Sequence, residues 1–372
     1  MRIILLGGAG DMGSRAVEDL ASMEGVRQIT IADRNAEAGE RIAGRLKEQK
    51  AAVDVRRIDA NDHNDLVSAM RGYDVAASTL GPFHRFEAKL VRAAIDAGVD
   101  YASVCDEWEA AEAVFVEFSE EARQKGRIIL TGLGTSPGLT NVGVRYLADG
   151  MSRVRGADIY VYQPLDAGGG EALVRHMLHI ISGNIAVWRD GRRVTLPACI
   201  ESRLVDFPRF GSVQTWNMGH SEPVTLPRFI TEIEKVNFFM GFGRGSGWFI
   251  KPAQMGWWKR QGLVDWAVRF VLKLERQGSG KLPSEGAVRI DVWGEQDGQE
   301  VHRMLCGTGQ MRKVTGLSLA VGACMLGRKE LITREPGVYA PEGCIDPQMF
   351  IHRLKKNGLA AYEDLAMTHP LG

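Results

Sequence analysis

The chain begins with a short apolar run that passes directly into a glycine-rich turn, and this junction restricts its fold more than any other feature. Residues 3–6 are Ile-Ile-Leu-Leu, and Gly8, Gly10 and Gly13 follow in the spacing G-x-G-x-x-G before a helix-like stretch. A continuous apolar run is typical of a strand buried on both faces. Glycines at this spacing permit a tight turn, close approach of the backbone to a pyrophosphate, and close packing of helix on strand. The sequence therefore predicts a dinucleotide whose pyrophosphate binds at the helix N-terminus.

An acidic residue follows at the distance that this interpretation requires. The stretch 27–32 is a second strand candidate, and Asp33 follows Gly13 by 20 residues. A carboxylate there accepts hydrogen bonds from the adenosine ribose and repels a 2′-phosphate, so the sequence favours NAD over NADP. Arg34 keeps NADP open, because its guanidinium could hold a 2′-phosphate. The alternative for the whole motif is a plain turn, with Asp33 capping the next helix.

Composition excludes several other classes of protein. The 372 residues balance 46 basic against 46 acidic ones, so we expect neither a nucleic-acid footprint nor an acidic tail. No apolar run is long enough for a membrane span. The sequence also lacks a cationic segment followed by an apolar stretch at its start, so we expect no secretory signal. The five cysteines are scattered without CxxC spacing. That usage indicates reduced thiols in the cytoplasm, and neither a disulfide framework nor a zinc site.

The first third of the chain alternates strand and helix patterns with short links. Further strands and helices are predicted over 51–59, 73–80, 85–98, 99–105, 107–126 and 127–134. This alternation is typical of a doubly wound parallel sheet, in which ligands bind beyond the C-terminal ends of the strands. The candidate cofactor ligands lie at those ends: Gly8, Gly10, Asp11, Met12, Gly13, Asp33, Arg34, Asp59, Ser78, Leu80, Gly81, Pro82, Cys105 and Gly134.

The pattern changes after Asn141. The stretches 185–196 and 286–309 alternate like hairpins and carry Asp190-Gly191 and Asp297-Gly298 at their turns. Hairpins with occasional helices predict an antiparallel sheet and an α+β fold. The predicted organisation is a Rossmann domain over 1–140, an α+β substrate and dimerisation domain over 141–312, and a C-terminal segment, 313–372, that packs back on the Rossmann domain.

Aromatic and basic residues are concentrated between Asn237 and Lys273. Four tryptophans and five phenylalanines fall in this stretch, with lysines and arginines between them. One interpretation is a mobile lid over the substrate, and a second is an interfacial segment that lies on a membrane. A third is a dimer surface or a small separate core, because aromatic residues favour interfaces. The sequence leaves all three open.

The stretch 74–141 resembles the saccharopine dehydrogenase-like oxidoreductases. The shared features are Pro82 and His84 after the fourth strand, the helix sequence AAIDAG, Asp100-Tyr101 in the fifth strand, and a glycine-rich turn, 132–138, that ends in Pro-Gly. Two later stretches, 219–227 and 337–342, look like the bacterial and archaeal branch that includes lysine 6-dehydrogenase-like proteins. The resemblance covers the first 145 residues well and the rest in patches.

The resemblance implies a nicotinamide-dependent enzyme that acts at a carbon–nitrogen bond of an amino-acid-like substrate. It implies a Rossmann domain, an inserted α+β domain for substrate and dimer contacts, and a return of the chain to the first domain. It also implies that residues 78–82 line the nicotinamide ribose. In such enzymes the cofactor carries the hydride, and the protein supplies orientation and electrostatics.

Two residues are candidates for acid–base catalysis. His84 lies two residues beyond Pro82, and Asp106 follows the fifth strand. An imine accepts hydride well only when it is protonated, so a nearby acid–base group or carboxylate is needed. Each residue has a structural alternative: His84 could cap or pack against its helix, and Asp106 could be the N-cap of the next one. Cys105 is expected to be a packed residue rather than a nucleophile.

Candidates for binding the substrate occur in both halves of the chain. Thr135 and Ser136 precede a helix, and could hold a carboxylate or cap that helix. Arg175 could clamp a carboxylate with two hydrogen bonds, or belong to a solvated helix face. His220 and Glu222 lie in what reads as a proline-containing loop. We expect no metal, since the two histidines near Arg175 lack an evident third ligand.

These observations predict an oxidoreductase that acts on the amine or imine of a small amino-acid-like molecule. Its predicted cofactor is NAD, with NADP as the alternative. The protein is predicted to be a cytoplasmic homodimer. One alternative is a reductase of an apolar, lipid-like carbon–carbon double bond, associated with a membrane through the aromatic stretch. The other is a protein that binds NAD without turnover.

Overall fold

A computed structural model describes residues 1–164, 170–243, 246–277 and 285–371. Among these residues the strands are β1 (Arg2–Leu6), β2 (Gln28–Asp33), β3 (Ala52–Arg57), β4 (Val75–Ser78), β5 (Asp100–Ser103), β6 (Ile128–Leu130), β7 (Arg153–Tyr162), β8 (Asn184–Arg189), β9 (Arg192–Pro197), β10 (Ser202–Phe207), β11 (Gly211–Asn217), β12 (Lys235–Gly241), β13 (Gly286–Gln296), β14 (Gln299–Gly309) and β15 (Gly337–Tyr339). The helices are α1 (Asp11–Ser22), α2 (Ala36–Arg45), α3 (His63–Met70), α4 (Phe83–Ala97), α5 (Trp108–Gln124), α6 (Leu139–Leu147), α7 (Gly170–Ile180), α8 (Glu222–Phe229), α9 (Gly247–Gln254), α10 (Gln261–Gln277), α11 (Met311–Gly327), α12 (Pro341–Cys344) and α13 (Pro347–Lys356).

The chain divides into two compact units. The first contains Met1–Val142 and Arg312–Asn357, and the second contains Gly143–Met311 and Gly358–Gly372. The sequence predicts that 313–372 packs on the first domain, whereas the residues after Asn357 join the second unit. The reason is local pairing, since Tyr362 and Cys306 exchange two backbone hydrogen bonds of 2.8 Å. The domain boundaries as such stay a prediction.

The first unit is built on a seven-stranded sheet with the strand order β15-β6-β5-β4-β1-β2-β3. Each neighbouring pair in it is parallel. The order reverses between β1 and β4, which is the switch point of a doubly wound fold. The predicted Rossmann architecture is therefore confirmed. Strand β15 is an addition that its three residues were too short to predict.

The residues of β1 show why this sheet forms. Ile3, Ile4, Leu5 and Leu6 are completely buried, as expected for a central strand covered by helices on both faces. The glycine that ends α4, Gly98, has a φ of 71°, the left-handed geometry of a helix terminus. In α11, a Cβ at Gly316 would lie 2.9 Å from the Ala16 nitrogen. Helix α11 thus packs closely on α1 because it carries a glycine there.

The second unit contains an eight-stranded sheet with the order β10-β11-β12-β7-β13-β14, and β8 pairs with both β12 and β9. Both predicted hairpins are present. The turn residues Asp190 and Gly191 have φ of 50° and 69°, and Asp297 and Gly298 have φ of 53° and 76°. Two successive positive φ angles define the turn that matches the twist of paired strands.

The prediction of an antiparallel sheet in this unit was wrong in one respect. Strand β12 pairs parallel to β7 over seven residue pairs, from Lys235 to Gly241. Parallel neighbours need a long crossover connection, and the chain between β7 and β12 supplies one. The sheet is therefore mixed.

The aromatic stretch divides into buried and exposed parts. Phe238 and Phe239 belong to β12 and are buried, as are Phe249 of α9 and Trp258. Trp248, Trp257, Trp266 and Phe270 are among the exposed large side chains. No helix among the described residues is long and apolar enough to cross a membrane.

Candidate active site

The predicted cofactor residues of the first unit follow the C-terminal ends of neighbouring strands. The turns after β1, β4, β5 and β6 adjoin in the sheet, and Asp33 ends β2 on the other side of β1. In an open parallel sheet this edge, beside the switch point, is where ligands bind. The topology therefore brings together at one edge the residues that the sequence analysis selected there.

The glycine turn after β1 has no room for side chains. A Cβ on Gly13 would lie 2.2 Å from the carbonyl oxygen of Gly7, and one on Gly8 would lie 2.9 Å from that of Leu5. Gly10 occupies the N-cap of α1 and makes no side-chain cap. The first N–H groups of a helix have no partner inside it, so Asp11, Met12 and Gly13 point theirs out of the helix start. This arrangement can hold an anion.

The Asp33 carboxylate is held beside the glycine turn. One oxygen accepts from the Ala9 N–H at 3.1 Å and the other from the Asn35 N–H at 2.9 Å. These bonds fix the carboxylate where β2 ends, next to the turn that follows β1. Arg34 beside it is exposed. Asp59, after β3, is exposed and accepts from the Asn61 backbone and side chain, and these hydrogen bonds lower the pKa of Asp59.

A cation that the sequence analysis missed lies at the start of α1. The Arg312 Nε lies 2.9 Å from the Asp11 carbonyl oxygen and 3.0 Å from its carboxylate, and Nη2 donates to the Ser14 hydroxyl at 2.9 Å. Asp11 would otherwise place a bare negative charge beside an anion site. Arg312 compensates that charge.

The loop after β4 lies directly on the glycine turn. The Thr79 hydroxyl donates to the Gly7 carbonyl at 3.2 Å, and the Leu80 N–H donates to the Ser78 hydroxyl at 3.2 Å. A Cβ on Gly7 would lie 3.1 Å from the Leu80 backbone. Gly81 and Pro82 then lead into α4, with Pro82 at its N-cap. The predicted nicotinamide loop and the predicted pyrophosphate turn are therefore in contact.

A buried carboxylate occupies the start of α4. The Glu107 side chain, at the N-cap of α5, is fully buried. It accepts from the His84 backbone N–H at 2.6 Å and the Phe83 N–H at 3.3 Å, and it contacts the His84 Nδ1 at 2.6 Å. A carboxylate accepts a hydrogen bond from Nδ1–H, so the neutral ring carries its proton there and the lone pair is on Nε2. The carboxylate predicted for this role, Asp106, is the neighbouring residue and is half-buried.

A second buried acid lies one turn further along α4. Glu87 is fully buried and accepts from the Tyr101 hydroxyl at 3.0 Å, from the Thr131 hydroxyl at 3.3 Å, and from the Ser103 hydroxyl. Burial raises the pKa of Glu87 from 4.5 to about 7, and the charge of Glu107 adds to the rise. This carboxyl therefore holds its proton below about pH 7.

A signal for Glu87 exists in the sequence. It occupies the same helical face as Leu90, Val91 and Ala94, which are buried. A glutamate in an apolar i, i+3, i+4, i+7 series is out of place unless it has partners inside the protein. No comparable local signal marks Glu107, whose partners are more than 20 residues away.

Cys105 lies in the core as predicted. It is completely buried, and burial raises the pKa of its thiol well above the usual range. A buried thiol of this kind is inert as a nucleophile. The five cysteines are all free and buried.

The turn after β6 is closed on itself. The Gly134 N–H donates to the Pro137 carbonyl at 2.8 Å, and the Thr135 hydroxyl lies 2.8 Å from that of Thr315. Thr135 is buried and Ser136 half-buried. Thr135 thus joins this turn to α11, and the proposed contacts of Thr135 and Ser136 with substrate stay predictions.

The remaining candidates belong to the second unit. Arg175 donates to Glu171 and to Asp265, each at 2.8 Å. His220 and Glu222 are buried, the His220 Nδ1 contacts the Glu222 carboxylate, and the His220 ring stacks on Phe238 at 3.9 Å. The predicted loop around Glu222 is instead the start of α8, with a proline in the first turn, where its missing N–H costs nothing. Roles of these residues in binding stay predictions.

Comparison with known proteins identifies the first part of the chain. Residues 3–130 match the family described as the saccharopine dehydrogenase NADP binding domain. The chain is 21% identical to carboxyaminopropylagmatine dehydrogenase of Synechocystis sp., over 98% of each protein. It is 25% identical to carboxynorspermidine synthase of Vibrio cholerae over 64% of this chain and 63% of that protein.

A solved structure shares the whole fold. Saccharopine dehydrogenase (L-Glu forming) from Saccharomyces cerevisiae superimposes with a TM-score of 0.69 at 14% identity, covering 97% of this chain and 99% of that one. The predicted resemblance is confirmed by the family match over residues 3–130, which also supports the NAD(P) cofactor and the class of dehydrogenase. Residues 3–130 are thus similar to the saccharopine dehydrogenase NADP binding domain, and the whole chain has the fold of a saccharopine dehydrogenase.

Proposed function

We propose that the protein oxidises, or forms by reduction, a secondary amine that joins an amino-acid-like carboxylate to an amine. The observation that carries this proposal is one sheet edge. It presents a glycine turn fitted to a dinucleotide and, at the end of the neighbouring strand, a histidine held by a buried carboxylate. The names of the relatives support the substrate class, since each names a carboxylated amine.

The residues of the first unit suit a nicotinamide dinucleotide. Because Gly13 has no side chain, the turn after β1 leaves space for the dinucleotide. The uncapped start of α1 would hold the pyrophosphate, and Asp33 would bind the adenosine ribose. We infer a preference for NAD, because the fixed Asp33 carboxylate repels a 2′-phosphate. When bound, the cofactor accepts or donates the hydride.

His84 is the proposed acid–base group. A protonated secondary amine must lose one proton before the hydride can leave its carbon. The Nε2 lone pair takes that proton, and Glu107 at Nδ1 stabilises the imidazolium that results. Water then adds to the carbon–nitrogen double bond, and the products are a primary amine and a 2-oxo acid. In the reductive direction His84 returns the proton to nitrogen.

Nicotinamide absorbance tests the proposal. NAD⁺ or NADP⁺ is mixed with amino acids, diamines and N-carboxyalkyl amines, and NADH or NADPH with pairs of an amine and a 2-oxo acid. Turnover with the secondary amines, or with the pairs, is expected. His84→Gln should lower kcat/KM by roughly a hundredfold, while the exposed His63→Gln of α3 should not. Turnover on carbon–carbon double bonds alone would contradict the proposal.

A homodimer and a cytoplasmic location are part of the same proposal. Light scattering of the purified protein checks the first, and fractionation of the source cells checks the second. A monomer at working concentration would remove the dimer from the account without affecting the chemistry.

A further inference from the structure

Helix α10 exposes aromatic side chains on the face that usually carries charge. Ala267 and Val268 are buried, whereas Trp266 and Phe270 are 54% and 42% exposed. Their rings are stacked with 5.6 Å between centroids and 7° between planes. The outward face of this helix thus includes large apolar rings, which is unusual for a helix of a globular protein.

A third ring extends this surface from a second helix. Trp248 of α9 is 44% exposed, and its ring centroid lies 6.3 Å from that of Phe270. We call Trp248, Trp266 and Phe270 the aromatic patch. Trp257 and Met255, in the connection between the two helices, are 47% and 68% exposed. Contiguous exposed apolar surface of this kind marks a site of interaction with another body.

Exposed cations accompany the aromatic side chains throughout this segment: Lys251, Lys259, Arg260, Arg269 and Lys273. Arg269 and Lys273 each follow an aromatic residue of the patch by three positions, so they flank it on the same helical face. Residues 246–273 contain one acid, Asp265, and Arg175 donates to it at 2.8 Å. The surface therefore combines apolar rings with net positive charge.

We propose that the aromatic patch and its flanking cations dock the protein on a membrane surface that contains anionic lipids. Tryptophan and phenylalanine insert at the boundary between head groups and acyl chains, and lysine and arginine pair with anionic head groups. A second copy of the chain is the poorer occupant. A two-fold contact would place the patch on itself, and the cations would then face one another. The proposal is independent of the substrate, since none of its residues belongs to the candidate active site.

Sedimentation with vesicles tests it. The full-length protein is mixed with vesicles of phosphatidylcholine alone or of phosphatidylcholine with phosphatidylglycerol. Binding to the anionic vesicles is expected, and it should weaken as salt is raised. Trp266→Ser with Phe270→Ser should lower the partition coefficient by roughly tenfold or more. Arg269→Gln with Lys273→Gln should lower it by about fivefold per charge removed.

Matched variants in the same unit serve as controls. Ile200→Ser with Leu204→Ser removes apolar side chains that are 61% and 69% exposed, and Arg192→Gln with Arg193→Gln removes exposed charges from β9. These should bind like the native protein, and unchanged melting temperatures show that the variants fold. Equal loss in the controls, or equal binding to both vesicle types, would overturn the proposal. So would a lack of binding together with a dimer that Trp266→Ser dissociates, which would assign the patch to a second copy.

Discussion

Two helices begin at the same edge of the first sheet, and their N-termini differ in what lies against them. The start of α4 receives a carboxylate from within the protein, Glu107, which accepts from the N–H groups of Phe83 and His84. The start of α1 has only Gly10 at its cap, with no side-chain hydrogen bond. Both termini attract negative charge through the same unpaired N–H groups and the same helix dipole.

The two helix N-termini therefore have different proposed functions, although both attract negative charge. Where the anion is built in, the helix start fixes a side chain, and that side chain is His84. At α1 no side chain caps the helix, so the helix start can bind a ligand that carries negative charge. We therefore propose that the cofactor binds at the start of α1 and that the acid–base residue lies at the start of α4.

The largest effect on cofactor binding is expected when a side chain is added to the glycine turn at the start of α1. Gly13→Ala places a methyl group against the Gly7 carbonyl and should weaken cofactor binding by about 2–3 kcal/mol, roughly a hundredfold. Titration of cofactor fluorescence measures this. Gly44→Ala in α2 is the matched control, because nothing lies within 4 Å of that position. Equal affinity of the Gly13 variant and the native protein would show that the pyrophosphate lies elsewhere.

Removing the charge at α4 should have the next largest effect. Glu107→Gln keeps the shape of the side chain but loses the anion that orients His84 and caps the helix. We expect kcat/KM to fall roughly thirtyfold and the free energy of unfolding to fall by about 1–3 kcal/mol. The exposed Glu117→Gln of α5 should change neither quantity. Full activity in the Glu107 variant would refute the proposal that Glu107 orients His84 for acid–base catalysis.

Changing the acid beside the glycine turn should alter cofactor choice. Asp33→Asn keeps the hydrogen bond that one oxygen accepts but removes the charge that opposes a 2′-phosphate. The ratio of kcat/KM for NAD over NADP should fall about tenfold, equivalent to about 1.4 kcal/mol. Asp54→Asn, an exposed acid of β3, is the control. A native enzyme that already prefers NADP would contradict this part of the account.

The last prediction concerns the pH dependence of stability and involves the second acid of α4. The folded protein raises the pKa of Glu87 from 4.5 to about 7, so in that window it binds a proton that the unfolded chain has lost. Stability should therefore decrease as pH rises from about 4.5 to about 7, by at most about 1.4 kcal/mol per pH unit.

Glu87→Gln should flatten this dependence, as measured by urea unfolding at a series of pH values. The exposed Glu40→Gln of α2 should leave it as it is. A Glu87 variant whose unfolding free energy keeps the native slope over this window would show that Glu87 is ionised in the folded protein.

What the sequence could predict was local. The glycine spacing, Asp33 at its fixed distance, and the Asp-Gly turns of the two hairpins each depend on a few neighbouring residues whose backbone geometry is nearly obligatory. The cofactor edge of the sheet could be assembled from these signals and from the alternation of strands and helices.

The remaining features depend on partners distant in the chain. Glu107 acts on residues 23 and 24 positions away, and Arg312 reaches Asp11 across 301 positions. The parallel pairing of β12 with β7 likewise leaves no mark in either strand, because the residues of a strand do not specify the direction of its partner. Glu87 is the exception, since a glutamate on a buried helical face could have been recognised.

The most direct measurement follows the hydride itself. The purified enzyme is incubated with an amine, a 2-oxo acid and NADH that carries deuterium at the transferred position, and the product is analysed by mass spectrometry. The account predicts a secondary amine with one deuterium on the carbon bonded to nitrogen, and loss of that product in Gly13→Ala and His84→Gln. Deuterium found only in a hydroxy acid, or only at a former carbon–carbon double bond, would contradict it.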